Sequence, residues 1–93
     1  MPGGLQAVYS GEGQKTFIDL IWAPVTNADL AGYNVYRSEA GEAAVKVNSE
    51  LVKSPSYRDN AVASGQTYTY SVSAVDVRGN ESQRSEATSE SVP

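Results

Sequence analysis

The sequence predicts an all-β fold, an antiparallel sandwich of seven short strands. Its apolar residues recur with a period of two, as they do in β-strands. Clusters of turn-forming residues separate the runs at short intervals, and no segment of about ten residues has the apolar spacing of a helix. The chain has 93 residues, the size of one domain, and at this length roughly two-thirds of the unfolded surface can be buried. One core that needs no disulfide is therefore expected.

The first two strands are predicted near the amino terminus. The predicted strands cover, in chain order, residues 5–9, 16–22, 32–38, 44–48, 56–59, 67–77 and 84–92. In the first, Leu5 and Tyr9 fall on one face of the strand. In the second, Ile18, Leu20 and Trp22 form a fully apolar face, while the opposite face is mixed. A face of this kind is typical of a strand that lies against a core.

The third strand sets Tyr33 and Val35 against Asn34 and Tyr36, so Tyr36 is expected to face outward. The fourth and fifth strands are brief. Tyr57 in the fifth is expected to face the core. The predicted core residues are Ile18, Leu20, Trp22, Tyr33, Val35, Tyr57, Tyr68, Tyr70, Val72 and Ala74.

The sixth strand has the clearest alternation, with Tyr68, Tyr70, Val72 and Ala74 on one face and polar residues between them. β-Branched and aromatic residues favour this conformation. The seventh run is polar on both faces apart from two apolar residues. A strand so poor in apolar side chains is expected at a sheet edge, where backbone hydrogen bonds pair it.

Composition excludes several classes of function. The chain carries 7 Lys and Arg against 11 Asp and Glu, a net charge of −4, so it does not attract phosphate backbones or anionic lipid. It has no cysteine and no histidine, which removes most zinc sites, thiol nucleophiles and imidazole bases. No serine lies in a Gly-x-Ser-x-Gly motif, and no apolar run is long enough to span a membrane. We therefore expect a monomer that is not an enzyme, with no cofactor and with neither nucleic acid nor a membrane as partner.

The segment Arg78-Gly79-Asn80 is one carboxylate short of the Arg-Gly-Asp tripeptide that cell-surface receptors bind. It lies between the sixth and seventh predicted strands. Glycine and asparagine are the residue types that accept the positive φ of tight hairpins, and an asparagine amide is a much weaker metal ligand than a carboxylate. The segment is therefore predicted to be a turn.

Candidate binding residues fall in two places. One place is a group of loops that we expect at one end of the sandwich, which carry Asp29, Asp76, Arg78 and Asn80. Carboxylates and loop carbonyls are the ligands that calcium prefers, so a calcium site there stays open. No Asp-x-Asp-x-Asp spacing supports it. Tyr36 is an outward aromatic residue that could stack on a sugar ring or anchor a partner protein. Single exposed apolar residues are also ordinary features of a protein surface.

The segment "LIWAPV", with Trp22 as core tryptophan, resembles the second strand of a fibronectin type III domain, and "GYNVYRS" resembles its third. The segment "VASGQTYTYSVSAV" is similar to the turn into the sixth strand, with Tyr68 as the tyrosine whose hydroxyl ties that corner to the backbone. Val62 replaces the usual loop leucine, and Ser64 stands where the family usually carries proline. The segment from Tyr57 to Ser82 resembles bacterial members of the family more than animal ones. The resemblance implies an immunoglobulin-like sandwich over residues 5–92, preceded by a linker at 1–4.

The resemblance also implies a role. Domains of this family with their two ends at opposite poles serve as spacers or adaptors between neighbouring domains of one polypeptide. Bacterial members often lie beside carbohydrate-active domains, which implies an extracellular or cell-surface location. Two alternatives stay open: a module that binds polysaccharide or protein through the Tyr36 face or the end loops, and an engineered binding scaffold on the same fold.

Overall fold

The computed structural model describes residues 2–12, 15–39 and 42–93, and in these ranges it contains seven strands and no helix. The strands are β1 (Gln6–Glu12), β2 (Lys15–Ile21), β3 (Leu30–Glu39), β4 (Val45–Lys46), β5 (Ser56–Asp59), β6 (Thr67–Asp76) and β7 (Thr88–Ser91). The predicted number of strands and their order are confirmed. Among the described residues there is consequently no helix that could cross a membrane.

The strands form two antiparallel sheets, one with the order β1-β2-β5 and the other with the order β4-β3-β6-β7. Within the second sheet, β3 and β6 pair along most of their lengths, with Val35 opposite Val72 and Tyr33 opposite Ala74. β7 lies at the edge, as its polar composition predicted. The two sheets pack face to face over one core.

Of the ten residues that the alternation predicted in the core, eight are buried. Buried apolar residues are Ile18, Leu20, Trp22, Tyr33, Val35, Val62, Tyr68, Tyr70, Val72, Val75 and Val92. Tyr57 and Ala74, which were predicted to be buried, are only partly buried and pack against the margin of this core. Near the end of β6 burial no longer alternates, because Ser73 and Val75 on the outer face are also buried. Glu81 contacts both of them, through a hydrogen bond from Ser73 and an isolated bridge with Val75.

Trp22 and Tyr68 come from the two facing sheets and lie in the same core. The Trp22 and Tyr33 rings meet edge to face, with centroids 5.2 Å apart and an interplanar angle of 73°, an arrangement that aromatic quadrupoles favour. The indole Nε1 of Trp22 is buried and has no hydrogen-bond partner among the described residues. The large apolar area of Trp22 therefore accounts for its place in the core.

The seventh strand is shorter than the predicted run 84–92, because serine side chains replace part of the backbone ladder. Ser82 and Ser85 donate their N–H groups to the carbonyls of Ala74 and Val72 at 2.8 and 2.7 Å. Their Oγ atoms accept the N–H groups of Ala74 and Val72 in return, at 2.9 and 3.0 Å. A hydroxyl thus takes the place of a backbone carbonyl, and regular pairing begins only at Thr88.

The two ends of the described chain lie at opposite ends of β2. Near the amino terminus Pro2 is buried, and the Gly3 carbonyl accepts the N–H of Ala23, just past the end of β2. Residues 2–4, predicted as a linker, thus contact the domain. Near the carboxyl terminus, Val92 exchanges backbone hydrogen bonds with residues 65 and 66. That corner lies at the start of β2, because the hydroxyl of Thr16 donates to the Val62 carbonyl at 2.8 Å.

Candidate functional site

The predicted end loops do come together. The loop between β2 and β3 contacts the turn after β6, because the N–H of Val77 donates to the Asp29 carbonyl at 2.8 Å. Asp76, Arg78 and Asn80 belong to this same turn. Four of the five predicted binding residues therefore share one end of the sandwich, which is also the end where Gly3 contacts Ala23. Their role in binding stays a prediction.

The segment Arg78-Gly79-Asn80 forms a turn, as predicted, and Asp76 organises it. The Asp76 carboxylate accepts the N–H groups of Arg78 and Asn80 at 2.9 and 2.8 Å and the Asn80 side-chain amide at 3.1 Å. These hydrogen bonds, those from Asn80 above all, lower the pKa of Asp76. Gly79 has φ +85°, whereas Asn80 does not adopt positive φ. Only the glycine therefore needs the conformation that the sequence suggested for both residues.

Tyr36 lies half-buried on the outer face of the second sheet, and Glu81 connects it to this turn. The hydroxyls of Ser73 and Tyr36 both donate to Oε2 of Glu81, and the Asn34 amide does so at 3.4 Å. These donors stabilise the carboxylate, so the pKa of Glu81 is lowered. The same hydrogen bond raises the pKa of the Tyr36 phenol. The sequence alone did not indicate that Glu81 joins the two candidate regions.

An arginine covers the outward aromatic ring on each sheet. The guanidinium carbon of Arg84 lies 4.4 Å from the centroid of Tyr36, and that of Arg58 lies 4.7 Å from the centroid of Phe17. Arg58 also pairs with Asp19 at 2.7 Å on the same face. Guanidinium groups stack favourably on aromatic faces. Tyr36 and Phe17 lie on different sheets, and each ring already has a stacking partner.

One charged pair lies inside the sandwich, and the sequence analysis did not identify it. Arg37 on β3 shares the inward face with Val35, and its guanidinium contacts both carboxylate oxygens of Asp59 on β5, at 3.1 and 2.8 Å. The Tyr70 hydroxyl donates to the same carboxylate at 2.7 Å. Burial and this hydrogen bond raise the pKa of Tyr70. The pair links the two sheets, so we assign it a structural role.

The described residues include no group of three or more carboxylate, histidine or cysteine side chains placed to hold a metal ion. At the end of the sandwich, the Asp76 carboxylate instead accepts hydrogen bonds from its own turn. The Glu81 carboxylate accepts them from Ser73 and Tyr36. The carboxylates of Asp76 and Glu81 therefore have structural partners among the described residues.

Two antiparallel sheets of three and four strands define an immunoglobulin-like β-sandwich. In this one, the hydroxyl of Tyr68 ties the turn before β6 to the backbone at Ala63. The sequence profile of the fibronectin type III domain matches residues 2–91. The chain therefore belongs to the fibronectin type III domain family.

Three proteins similar to this chain come from bacteria. The chain is 37% identical over 76 residues to an amylopullulanase of Thermoanaerobacterium saccharolyticum, covering 82% of this chain and 6% of that protein. It is 43% identical over 68 residues to a poly(3-hydroxybutyrate) depolymerase of Delftia acidovorans, covering 73% of this chain and 12% of that protein. A solved structure of a Fn3-like protein from Clostridium thermocellum superposes with a TM-score of 0.80 at 32% identity, covering 99% of this chain and 91% of that one. The chain thus spans a small fraction of these enzymes and nearly all of the lone domain.

Proposed function

We propose that this domain is a non-catalytic spacer or adaptor module of a larger, secreted or cell-surface protein that degrades a polymer. The observation that carries the proposal is the placement of the two chain ends. Gly3 contacts the residue past the end of β2, and Val92 lies at the corner beside its start. Seven residues of β2 separate these points by roughly 20–25 Å at about 3.4 Å per residue. A folded module with this geometry holds two neighbours apart at a fixed distance.

The relatives support a role that does not depend on one substrate. Their names refer to different kinds of polymer, a polysaccharide for the amylopullulanase and the polyester poly(3-hydroxybutyrate) for the depolymerase. A module present in both kinds of enzyme is more economically explained by a geometric task than by recognition of either polymer. The relatives are polymer-degrading proteins, and a substrate too large to enter a cell supports the extracellular location.

The absence of the usual catalytic side chains points the same way. The chain contains neither histidine nor cysteine, the commonest sources of a base or a thiolate near neutral pH. Asp59, the most buried carboxylate among the described residues, is paired with Arg37 and Tyr70. Paired carboxylates catalyse when their environments separate their pKa values in a cleft, and Asp59 is instead sealed in the core. Any catalysis therefore belongs to a neighbouring domain.

A distance measurement tests the spacer role. The chain has no native cysteine, so Gly3→Cys and Pro93→Cys together provide the only two spin-label sites. Gly3 is exposed, with no atom within 4 Å of an added Cβ. We expect one narrow distance distribution within the 40 Å long axis of the domain. An equally long Gly/Ser chain would give a broad distribution around roughly 50–60 Å, and a similarly broad result for this domain would overturn the proposal.

Polysaccharide binding through Tyr36 is the second candidate, and the structure gives a specific reason to test it with two variants. Because Arg84 covers the Tyr36 ring, a sugar could stack there only after the guanidinium moves away. Retention on insoluble starch, cellulose or chitin that is lost in Tyr36→Ala and increased in Arg84→Ala would favour binding. Passage of the parent domain and both variants through all three columns would favour the spacer.

A further inference from the structure

The end of the sandwich that carries the Asp76 turn contains a cavity of about 310 Å³. It is lined by Val25, Asn27, Leu30, Ala74, Val75, Asp76, Asn80, Glu81 and Ser82. Four of these residues are apolar and the rest are polar or acidic. The volume is at the lower limit for a small-molecule site, so it suits one long side chain better than a polymer segment.

The charged residues that line this cavity are both acidic. Asp76 and Glu81 are the charged residues of its lining, and no lysine or arginine is among the lining residues. The nearby cation Arg84 stacks on Tyr36 on the outer face of the sheet and also attracts the Glu81 carboxylate, whose pKa it helps to lower. Hydrogen bonds hold both lining carboxylates in the ionised form. The three hydrogen bonds to Glu81 all reach Oε2 and none of them uses Oε1.

The walls of the cavity are held in place by hydrogen bonds. Val77 donates to the Asp29 carbonyl at 2.8 Å, and Asp76 donates to the Asn80 carbonyl at 2.9 Å. Asn27 accepts the N–H of Asp29 at 3.0 Å. A site shaped before its ligand arrives loses less conformational entropy on binding. Beside it, Val77 is 68% exposed, the most exposed large apolar residue described.

We propose that this cavity is a docking site for a lysine or arginine side chain of a partner protein. Such a side chain has an apolar stem and a cationic head. The stem would lie along Val25, Leu30 and Ala74, and the head would reach the carboxylates of Asp76 and Glu81. Val77 would contact the partner surface around the inserted side chain. This inference goes beyond the spacer role, which needs no contact at this end.

Four short peptides test the chemistry directly by titration of the ¹⁵N-labelled domain. They have the form acetyl-Gly-Ser-X-Ser-Gly-amide, in which X is lysine, arginine, norleucine or glutamate. We expect the lysine and arginine peptides to shift the amide resonances of Leu30, Ala74 and Val75 in a saturable manner. The norleucine peptide, which keeps the stem without the charge, should bind about fivefold more weakly, the upper value for an exposed ion pair. The glutamate peptide should bind more weakly still, and added salt should weaken the cationic peptides.

Two variants and one control locate the site. Ala74→Leu fills the cavity and should abolish the saturable shifts. Glu81→Gln removes one charge with little change of shape and should weaken lysine binding roughly two- to fivefold. Glu86→Gln makes the same charge change at an exposed residue outside the cavity and should leave the affinity unchanged. The spectrum of each free variant reports whether it is folded.

The proposal is overturned if no peptide gives saturable shifts, if the glutamate peptide binds as well as the lysine peptide, or if a folded Ala74→Leu variant binds normally. Failure of this kind leaves the spin-label distances unaffected. The docking and spacer proposals can therefore fail independently.

Discussion

The Tyr68 hydroxyl accepts the backbone N–H of Ala63 at 2.9 Å, which confirms the corner contact that the sequence predicted. The bond joins a buried residue of β6 to the turn that precedes it, where Val62 is also buried.

Tyr68→Phe should lower the free energy of unfolding by about 1 kcal/mol. The loss is limited because Ala63 is exposed, so water can replace the phenol at its N–H. Tyr57→Phe is the matched control, since the Tyr57 hydroxyl makes only a 3.4 Å contact with the Val47 carbonyl. Urea unfolding of both variants measures the difference, and equal effects would mean that the corner bond adds nothing.

Trp22→Ala should destabilise the domain by about 3–5 kcal/mol, because it leaves a cavity between the sheets and removes the edge-to-face contact with Tyr33. That is a large share of the ~5–15 kcal/mol that a small domain has. Ile21→Ala, at the preceding residue but 51% exposed, should cost under about 1 kcal/mol. A thermal midpoint for Trp22→Ala close to that of the parent would contradict the core assignment.

Two ion pairs among the described residues, Arg37–Asp59 and Arg58–Asp19, should contribute very different amounts to the free energy of unfolding. Asp59→Asn removes the partner of Arg37 and the acceptor of Tyr70 in the core and should cost about 3 kcal/mol. Asp19→Asn removes the partner of Arg58 on the surface and should cost under about 1 kcal/mol. Chemical denaturation of the two variants in the same buffer provides the comparison. Equal losses would show that the inner pair is solvated.

Gly79→Ala should cost about 1–2 kcal/mol, because φ is +85° at this position and an added Cβ meets no atom within 4 Å. The cost therefore comes from the backbone conformation alone. Gly3→Ala also meets no atom and has no positive φ, so it should be close to neutral. A neutral Gly79→Ala would mean that the turn can adopt another conformation.

Period-two alternation was enough to assign most of the fold. It placed Trp22, Tyr33, Tyr68, Tyr70 and Val72 in the core. A strand has only two faces, and the apolar residues of these strands lie mainly on the face that contacts the core. The burial of Tyr57 and Ala74 was overestimated. The alternation along a strand shows which face a residue occupies, but it does not show how far that residue lies from the margin of the sheet.

The polar contacts could not be derived in the same way. Parity sets Arg37 inward, but its partner Asp59 lies on the other sheet, so the pairing depends on how the sheets are stacked. The position of Glu81 depends on irregular residues after the turn, where Ser82 and Ser85 replace ladder carbonyls. The turn at Arg78-Gly79-Asn80 was easier to predict, because the hydrogen bonds that its residues donate to the Asp76 carboxylate span four residues or fewer.

The Glu81 carboxylate should make stability depend on acidity. Its pKa is lowered in the folded domain by the hydroxyls of Ser73 and Tyr36, so the folded state binds this proton less readily than the unfolded chain. The stabilisation is therefore fully present above the ordinary glutamate pKa of about 4.3 and is lost as the pH falls through the lowered folded value. Glu81→Gln lacks this contribution. The difference in unfolding free energy between parent and variant should be largest near neutral pH and should shrink as the pH becomes acidic.

Urea unfolding of the parent and Glu81→Gln at neutral pH and near pH 3 gives the two gaps. Asp76, whose pKa is also lowered, is present in both proteins and cancels in the comparison. Glu86→Gln controls for the loss of one negative charge, and its change is subtracted at each pH. A corrected gap that stays constant from neutral pH to acid would show that the donors around Glu81 do not favour its ionised form, and the carboxylate would then lose its assigned part in joining the turn to the Tyr36 face.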